Sequence, residues 1–264
     1  MKHLAVTVIC LASVVPSLAD DDFQVEELKY SGGPYKNETF RYIVMRPAKV
    51  EAGKSYPLVL FLHGAGERGT DTKLLQRHLP EMMASADYRG RFPCYFVAPQ
   101  CRKDKRWVDK HWGDKQSTPM KKEPTHQLNV AVLALKASLK EYSIDESRIY
   151  LTGLSMGGFG SWELAVRNPD WFAAVAPICG GGDIKQAHRL KNVPVWAAHG
   201  DKDGVVIPER SREMIAAIKK AGGKPYYVEY PGVGHNSWTP AYKQKDGLLK
   251  WMFEQRKTNP AKIQ

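Results

Sequence analysis

Cysteine is scarce in this chain, and so are the patterns that would give cysteines a structural role. Of four cysteines in 264 residues, three lie beyond an N-terminal apolar stretch. An odd number leaves at least one thiol free and provides no disulfide framework. Cys94 and Cys101 flank a predicted strand that holds them too far apart to bridge, whereas pairing of Cys101 with Cys179 stays open. Histidine and cysteine spacing gives no metal site, so neither a metal nor another cofactor is expected.

Acidic residues are few relative to basic ones. The chain has 28 Asp and Glu residues and 39 Lys and Arg residues, which gives a formal net charge of +11. Such a charge can attract anionic surfaces or polymers. No nucleic-acid motif or aromatic platform accompanies it, so a solvated basic surface is the better interpretation and no nucleic-acid partner is expected.

The single long apolar run lies at the N-terminus. Lys2-His3, an apolar stretch over 4–15 and the small residues Ser17-Leu-Ala19 form the pattern of a secretory signal peptide. The run is too short to span a bilayer as a helix. We therefore expect cleavage near Ala19, export to the periplasm or medium, and one domain over residues 20–264 without a membrane span.

Residues 153–157 read Gly-Leu-Ser-Met-Gly, between a strand-like run and a helix-like one. This is the pattern of a nucleophile elbow, in which Ser155 lies on a sharp, strained turn. The following helix aims its first N–H groups at the position where a substrate oxygen would become negative. The bare pattern is weak, because it should occur by chance in about one chain in ten of this length.

A buried strand over 57–62 precedes the loop His63-Gly-Ala-Gly-Glu-Arg-Gly69. In a fold with a nucleophile elbow, the loop after the third strand gives one oxyanion N–H and the residue after the nucleophile gives the other. We assign these donors to Ala65 and Met156. For His63 we favour a structural role over a catalytic one.

Two later strands end in polar loops. The strand at 193–199 is followed by Gly200-Asp-Lys-Asp-Gly204, and the strand at 226–230 leads to His235. Serine, acid and histidine in this order match the α/β-hydrolase triad, in which His235 would take the proton of Ser155. Asp203 is the preferred acid, Asp201 the second choice and Asp183 the third.

Residues 102–124 form a long polar segment with eight basic and four acidic side chains and no apolar period. It follows a predicted strand at 95–98 and therefore emerges at the carboxyl ends of the sheet, where open α/β folds bind ligands. Trp107 and Trp112 could line a substrate pocket there, or could anchor the segment to the body. Trp238 has the stronger claim to the pocket, since it follows His235 by three residues.

Strands alternate with helical patterns at 125–142, 156–167, 208–222 and 241–255, which predicts a mostly parallel sheet. Residues 23–46 alternate like an antiparallel pair at the sheet edge. The expected fold class is therefore α/β, with helices on both faces of a central sheet.

Taken together, these motifs resemble those of secreted α/β-hydrolase esterases, over most of residues 40–255. The group is the phospholipase/carboxylesterase and dienelactone-hydrolase-like one, whose members are often labelled peptidases. The motifs that carry the resemblance are His63–Gly69, Ala98–Cys101, Gly153–Gly158, Pro177–Gly182 and the loops of Asp203 and His235.

The resemblance implies hydrolysis of short-chain or small carboxylic esters by Ser155, Asp203 and His235, with oxyanion donors at Ala65 and Met156. Dienelactone hydrolase itself uses a cysteine nucleophile, and Ser155 argues against that activity. The alternatives are a feruloyl or acetyl esterase acting on plant polysaccharide and a serine peptidase of the same fold. A non-catalytic binding module is disfavoured because every triad position is filled. Acyl length, alcohol identity and oligomeric state stay open.

Overall fold

Eight strands form one mostly parallel sheet in the computed structural model, which describes residues 22–263. The predicted signal peptide at residues 1–19 lies outside the described residues. The strands are β1 (Gln24–Gly32), β2 (Tyr35–Met45), β3 (Tyr56–Leu62), β4 (Tyr95–Pro99), β5 (Ile144–Leu154), β6 (Ala174–Ile178), β7 (Trp196–Gly200) and β8 (Tyr226–Tyr230).

The strand order is β1-β2-β4-β3-β5-β6-β7-β8. β1 pairs antiparallel with β2, and β2 pairs antiparallel with β4, while all later neighbours are parallel. The predicted antiparallel pair at the sheet edge is therefore confirmed, and so is the α/β-hydrolase fold class.

Seven α-helices connect the strands in the described part of the chain. They are α1 (Leu79–Ala84), α2 (Ala86–Arg91), α3 (His126–Glu141), α4 (Met156–Arg167), α5 (Glu209–Lys220), α6 (Trp238–Lys243) and α7 (Leu248–Glu254). Among residues 22–263 no helix combines the length and the apolar character that a membrane span requires.

The central strand β3 is buried along its whole length, because each of its two faces meets a separate core. Leu58, Leu60 and Leu62 contribute to the core that α3, α4 and α5 cover. Val59 and Phe61 point the other way, into the core formed with α1, α6 and α7. Successive strand side chains alternate between faces, so a continuous apolar run is what a strand covered on both sides requires.

One predicted helix is wrong. The range 241–255 contains two helices, α6 and α7, with a break at Gln244–Gly247. Gly247 has φ −100° and ψ −135°, which is far from helical, and its N–H is bonded to the Gln244 carbonyl instead. The apolar periodicity continues across the break because both helices pack on the same core.

The segment at 102–124 has no regular secondary structure, but it is fastened to the body at several points. Ser117 Oγ donates to the Gly182 carbonyl, and Asp183 accepts from the Met120 amide. Arg167 donates to the carbonyls of Lys121 and Lys122. These hydrogen bonds attach the segment firmly to the rest of the protein.

The tightest backbone packing lies where β5 turns into α4. A methyl group on Gly157 would overlap the carbonyl oxygen of Leu62 and would also lie 2.8 Å from that of His63. Gly157 has no space for any side chain, because both neighbours are backbone atoms that cannot move aside.

We predict that Gly157→Ala destabilises the protein by about 3 kcal/mol, because overpacking against backbone forces the elbow away from β3. Gly90→Ala is the matched control, since Gly90 is also helical and has nothing within 4 Å of the added methyl group. Urea unfolding of both variants measures the difference. Equal stability of the two variants would contradict the packing described here.

Candidate active site

Ser155 lies at the tip of the turn between β5 and α4. Its backbone adopts φ 54° and ψ −117°, a region that residues with a side chain rarely occupy and that is strained. The turn is held by the amide of Ser155, which donates to the carbonyl of Ile178 at 3.0 Å. The sequence-predicted elbow is thus present in the structure.

His235 connects Ser155 with a carboxylate. His235 Nε2 lies 2.9 Å from Ser155 Oγ, and His235 Nδ1 lies 2.7 Å from Asp203 Oδ2. Asp203 can only accept, so Nδ1 carries a proton and Nε2 is free to accept from the serine hydroxyl. Ser155, Asp203 and His235 therefore form one continuous hydrogen-bonded chain, although Asp203 lies 48 residues after Ser155 and 32 residues before His235 in the sequence.

Asp203 is held as a charged carboxylate. Its Oδ1 accepts from the amides of Val205 at 2.8 Å and Val206 at 3.0 Å. Burial raises the pKa of Asp203, but hydrogen bonds from His199, from His235 and from these amides outweigh burial and hold the pKa well below its ordinary value. The carboxylate is therefore ionised at neutral pH and can stabilise a protonated His235.

The two other candidate acids have different partners. Asp201 accepts from the Gly232 amide at 2.7 Å and so closes the loop beside β8. Asp183 caps a 3₁₀ helix by accepting from the Lys185 amide at 3.0 Å. Of the three carboxylates considered, the structure brings Asp203 to His235.

The expected oxyanion donors, Ala65 and Met156, are each the first residue of a helix. Ala65 begins a 3₁₀ turn over Ala65–Glu67, and Met156 begins α4. The N–H groups at a helix start have no acceptor within the helix and are available to a ligand. The loop and the elbow lie side by side, since a methyl group on Gly64 would be 3.8 Å from the Leu154 carbonyl oxygen.

His63 holds the loop that contains Ala65 in place. Its Nε2 accepts from the Cys101 amide at 3.0 Å, so the proton is on Nδ1, which donates to the Gly64 carbonyl at 2.6 Å. Burial lowers the pKa of His63 to about 4, which keeps the ring neutral. The structural interpretation of His63 is therefore confirmed.

The three tryptophans considered for a substrate pocket have different surroundings in the structure. Trp107 has no solvent exposure, and its Nε1 donates to the His63 carbonyl at 3.0 Å. The expectation that Trp107 lines an open substrate pocket is therefore wrong, because its ring is a buried anchor of the 102–124 segment. Trp112 is partly exposed and lies beneath the Arg68 guanidinium, 5.7 Å from the ring centroid.

Trp238 lies beside His235. Its ring is partly exposed and meets the His235 ring edge to face, with centroids 5.4 Å apart. The centroid of the His78 ring lies at the same distance from that of Trp238, and His78 Nε2 lies 3.3 Å from Glu67 Oε1. Trp238 therefore packs between two histidine rings, one of which bonds Ser155.

Two buried residues next to Asp203 and His235 were missed by sequence reasoning. His199, at the end of β7, has Nε2 3.2 Å from Asp203 Oδ2, and its position directly before the Asp201–Asp203 loop was the available signal. Cys179 has its sulfur within 4.8 Å of ligand atoms of Asp203 and His235. Burial raises the pKa of Cys179 to about 12, so its thiol is neutral. Cys94, Cys101 and Cys179 are all free and buried, so Cys101 and Cys179 are not bridged.

Comparison with known proteins defines the class of this fold and site. Residues 96–246 match the Dienelactone hydrolase family. This match spans more than half of the chain, and the chain belongs to the dienelactone hydrolase family.

Individual relatives are similar over different parts of the chain. A crystal structure of a thermostable esterase superposes with TM-score 0.79 at 36% identity, covering 89% of this chain and 64% of that one. A bifunctional acetylxylan esterase/xylanase of Neocallimastix patriciarum is 38% identical over 113 residues, which are 39% of this chain and 17% of the relative. The feruloyl esterase module from Clostridium thermocellum shares the fold at 17% identity and TM-score 0.64, covering 91% and 92%. This chain thus spans less than two thirds of the first two proteins.

We predict that Asp203→Asn lowers the kcat for p-nitrophenyl acetate by about 10⁴, because the amide spoils the His235 tautomer. Asp201→Asn, the matched control, keeps an oxygen for the Gly232 amide and should cost far less. A larger loss of kcat in the Asp201 variant would contradict the choice of Asp203 as the acid. If neither variant lost activity, Asp183 would become the leading candidate.

Proposed function

We propose that this protein is a serine carboxylesterase that hydrolyses small carboxylic esters through an acyl-enzyme on Ser155. The single observation that carries the proposal is the hydrogen-bonded chain from Ser155 Oγ through His235 to Asp203. Its placement at a strained strand-to-helix turn is the arrangement that acyl transfer requires.

In the first half-reaction, His235 Nε2 takes the proton of Ser155 as Oγ attacks the ester carbonyl carbon. The new imidazolium is stabilised by Asp203, which stays ionised. When the tetrahedral intermediate collapses, the carbon–oxygen bond to the alcohol breaks and His235 returns the proton to the departing oxygen.

In the second half-reaction, water replaces the alcohol. His235 takes a proton from the water, whose oxygen attacks the acyl carbon, and the carboxylic acid leaves as Ser155 Oγ regains its proton. In both tetrahedral intermediates the negative oxygen would be bound by the N–H groups of Ala65 and Met156. Preorganised donors of this kind act where charge develops in the transition state.

A second candidate function is an esterase for acetyl or feruloyl groups on plant polysaccharide. It is favoured by the partly exposed Trp238 beside His235, because an aromatic ring next to the nucleophile suits a planar acyl group or a sugar ring. The acetylxylan esterase similarity points the same way. Export directed by residues 1–19 would deliver either esterase to an extracellular substrate.

We predict that Ser155→Ala folds normally and loses about 10⁶-fold in turnover, because the variant lacks the hydroxyl that accepts the acyl group. A fluorophosphonate should label the unaltered protein and not the variant. Turnover is measured on p-nitrophenyl esters of increasing acyl length, methyl ferulate, acetylated xylan and a chromogenic peptide. Labelling that persists in Ser155→Ala, or cleavage of the peptide alone, would contradict the proposal.

We predict that Trp238→Ala changes the ratio of kcat/KM for methyl ferulate and p-nitrophenyl acetate by roughly ten-fold, the scale of ~1–3 kcal/mol of pocket contact. Trp107→Ala is the matched control. It should lower stability by about 3–5 kcal/mol, as loss of a buried tryptophan does, and leave the ratio unchanged. A ratio that changes in the Trp107 variant and not in the Trp238 variant would reverse the assignment.

A further inference from the structure

A second histidine lies against the carboxylate of the triad. His199 is the fourth residue of β7 and is fully buried. Its Nε2 lies 2.8 Å from the Val206 carbonyl oxygen and 3.2 Å from Asp203 Oδ2, while Nδ1 lies 2.8 Å from Ser211 Oγ. All the polar atoms of this buried ring therefore have partners.

The partners determine where one proton lies. The Val206 carbonyl can only accept, so His199 Nε2 must carry hydrogen. That hydrogen bonds to the Val206 carbonyl, and Asp203 Oδ2 lies 3.2 Å from the same nitrogen. Asp203 Oδ2 consequently faces two imidazole N–H groups, one from His199 and one from His235.

Ser211 contacts the other nitrogen of the His199 ring. The serine hydroxyl lies 2.9 Å from the Gly180 carbonyl oxygen as well as 2.8 Å from His199 Nδ1. Together with the contact between Nε2 and the Val206 carbonyl, this contact fixes the orientation of the ring beside Asp203.

We propose that His199 is a positioning residue of the active site, which holds Asp203 Oδ2 toward His235 and withdraws part of its negative charge. This inference rests on the proposed function, since it assigns His199 to the same hydrogen-bonded chain. Because Oδ1 of Asp203 is already fixed by two backbone amides, His199 chiefly determines how strongly Oδ2 attracts the proton of His235.

Two further ionisable groups lie on the strands beside His199. Glu229 is its paired neighbour on β8; it forms an ion pair with Arg212 and accepts a hydrogen bond from Tyr227. Cys179 follows β6, and burial raises the pKa of its thiol, which is therefore neutral. Neither Glu229 nor Cys179 is hydrogen-bonded to Asp203 Oδ2, so neither takes the place of His199 beside that oxygen.

The test measures the rate at which a fluorophosphonate labels Ser155 as a function of pH, which needs no knowledge of the ester substrate. In His199→Leu, Oδ2 keeps all of its charge for His235, so protonated His235 is favoured. The acid limb of the labelling profile is the range at low pH over which the labelling rate rises. Its midpoint should then move to higher pH by about half a unit or more. The labelling rate on the plateau should fall roughly ten-fold, as when an outer hydrogen-bond partner of an active-site group is lost.

Two further variants separate positioning from mere packing. His199→Gln keeps an N–H donor near the Nε2 position and should restore the acid limb of the unaltered protein. His126→Leu is the matched control, because it removes a partly buried histidine that bonds Tyr30 far along the chain from the triad. It should lower the melting temperature without moving the limb.

The possible results are distinct. If His199→Leu folds and its limb and plateau equal those of the unaltered protein, the inference is wrong. If the plateau falls while the limb stays, His199 is only structural. Should His199→Leu fail to fold, Ser211→Ala decides, since loss of the Nδ1 partner frees the ring to turn away from Asp203 and should move the limb in the same direction. An unmoved limb in Ser211→Ala would then contradict the inference. Absence of labelling in the unaltered protein would instead refute the proposed function.

Discussion

The contact between the start of α4 and the end of β3 sets the geometry on which the rest of the site depends. Gly157 lies against the carbonyl of Leu62 with no room for a side chain, which draws the elbow onto the central strand. This contact holds Ser155 in a strained conformation and places the start of α4 beside the loop that carries Ala65. The strain is sustained because β3 and the second half of β5, residues 149–154, are buried and cannot yield.

Much of this arrangement could be predicted from sequence, because the signals are local. An apolar run such as 57–62 predicts a doubly covered strand, and Gly-Leu-Ser-Met-Gly predicts the elbow that follows β5. The position of His235 after β8 could be predicted because the carboxyl ends of parallel strands meet at one edge of the sheet. The preference for Asp203 over Asp201 also came from order and spacing, and the hydrogen bond to His235 agrees with it.

The remainder depends on contacts between distant segments, which no local pattern encodes. Trp107 was considered for either a pocket or an anchor because its segment emerges at the carboxyl ends of the sheet, and only its burial against His63, 44 residues earlier, decides for the anchor. The range 241–255 has one continuous apolar periodicity, although its backbone breaks near Gly247. His199 looked like the last residue of a strand, and its contacts with Asp203 and Ser211 exist only once β7 and α5 have packed.

The central claim is that Ser155, activated by His235 and Asp203, is the group that becomes acylated. The most direct measurement is an acid quench of the reaction with p-nitrophenyl acetate during its initial burst, followed by peptide mass spectrometry. The account predicts one acetyl group per chain, on the peptide that contains Ser155. An acetyl group on a different residue, such as the buried Cys179, or steady turnover without any acetylated peptide, would contradict it.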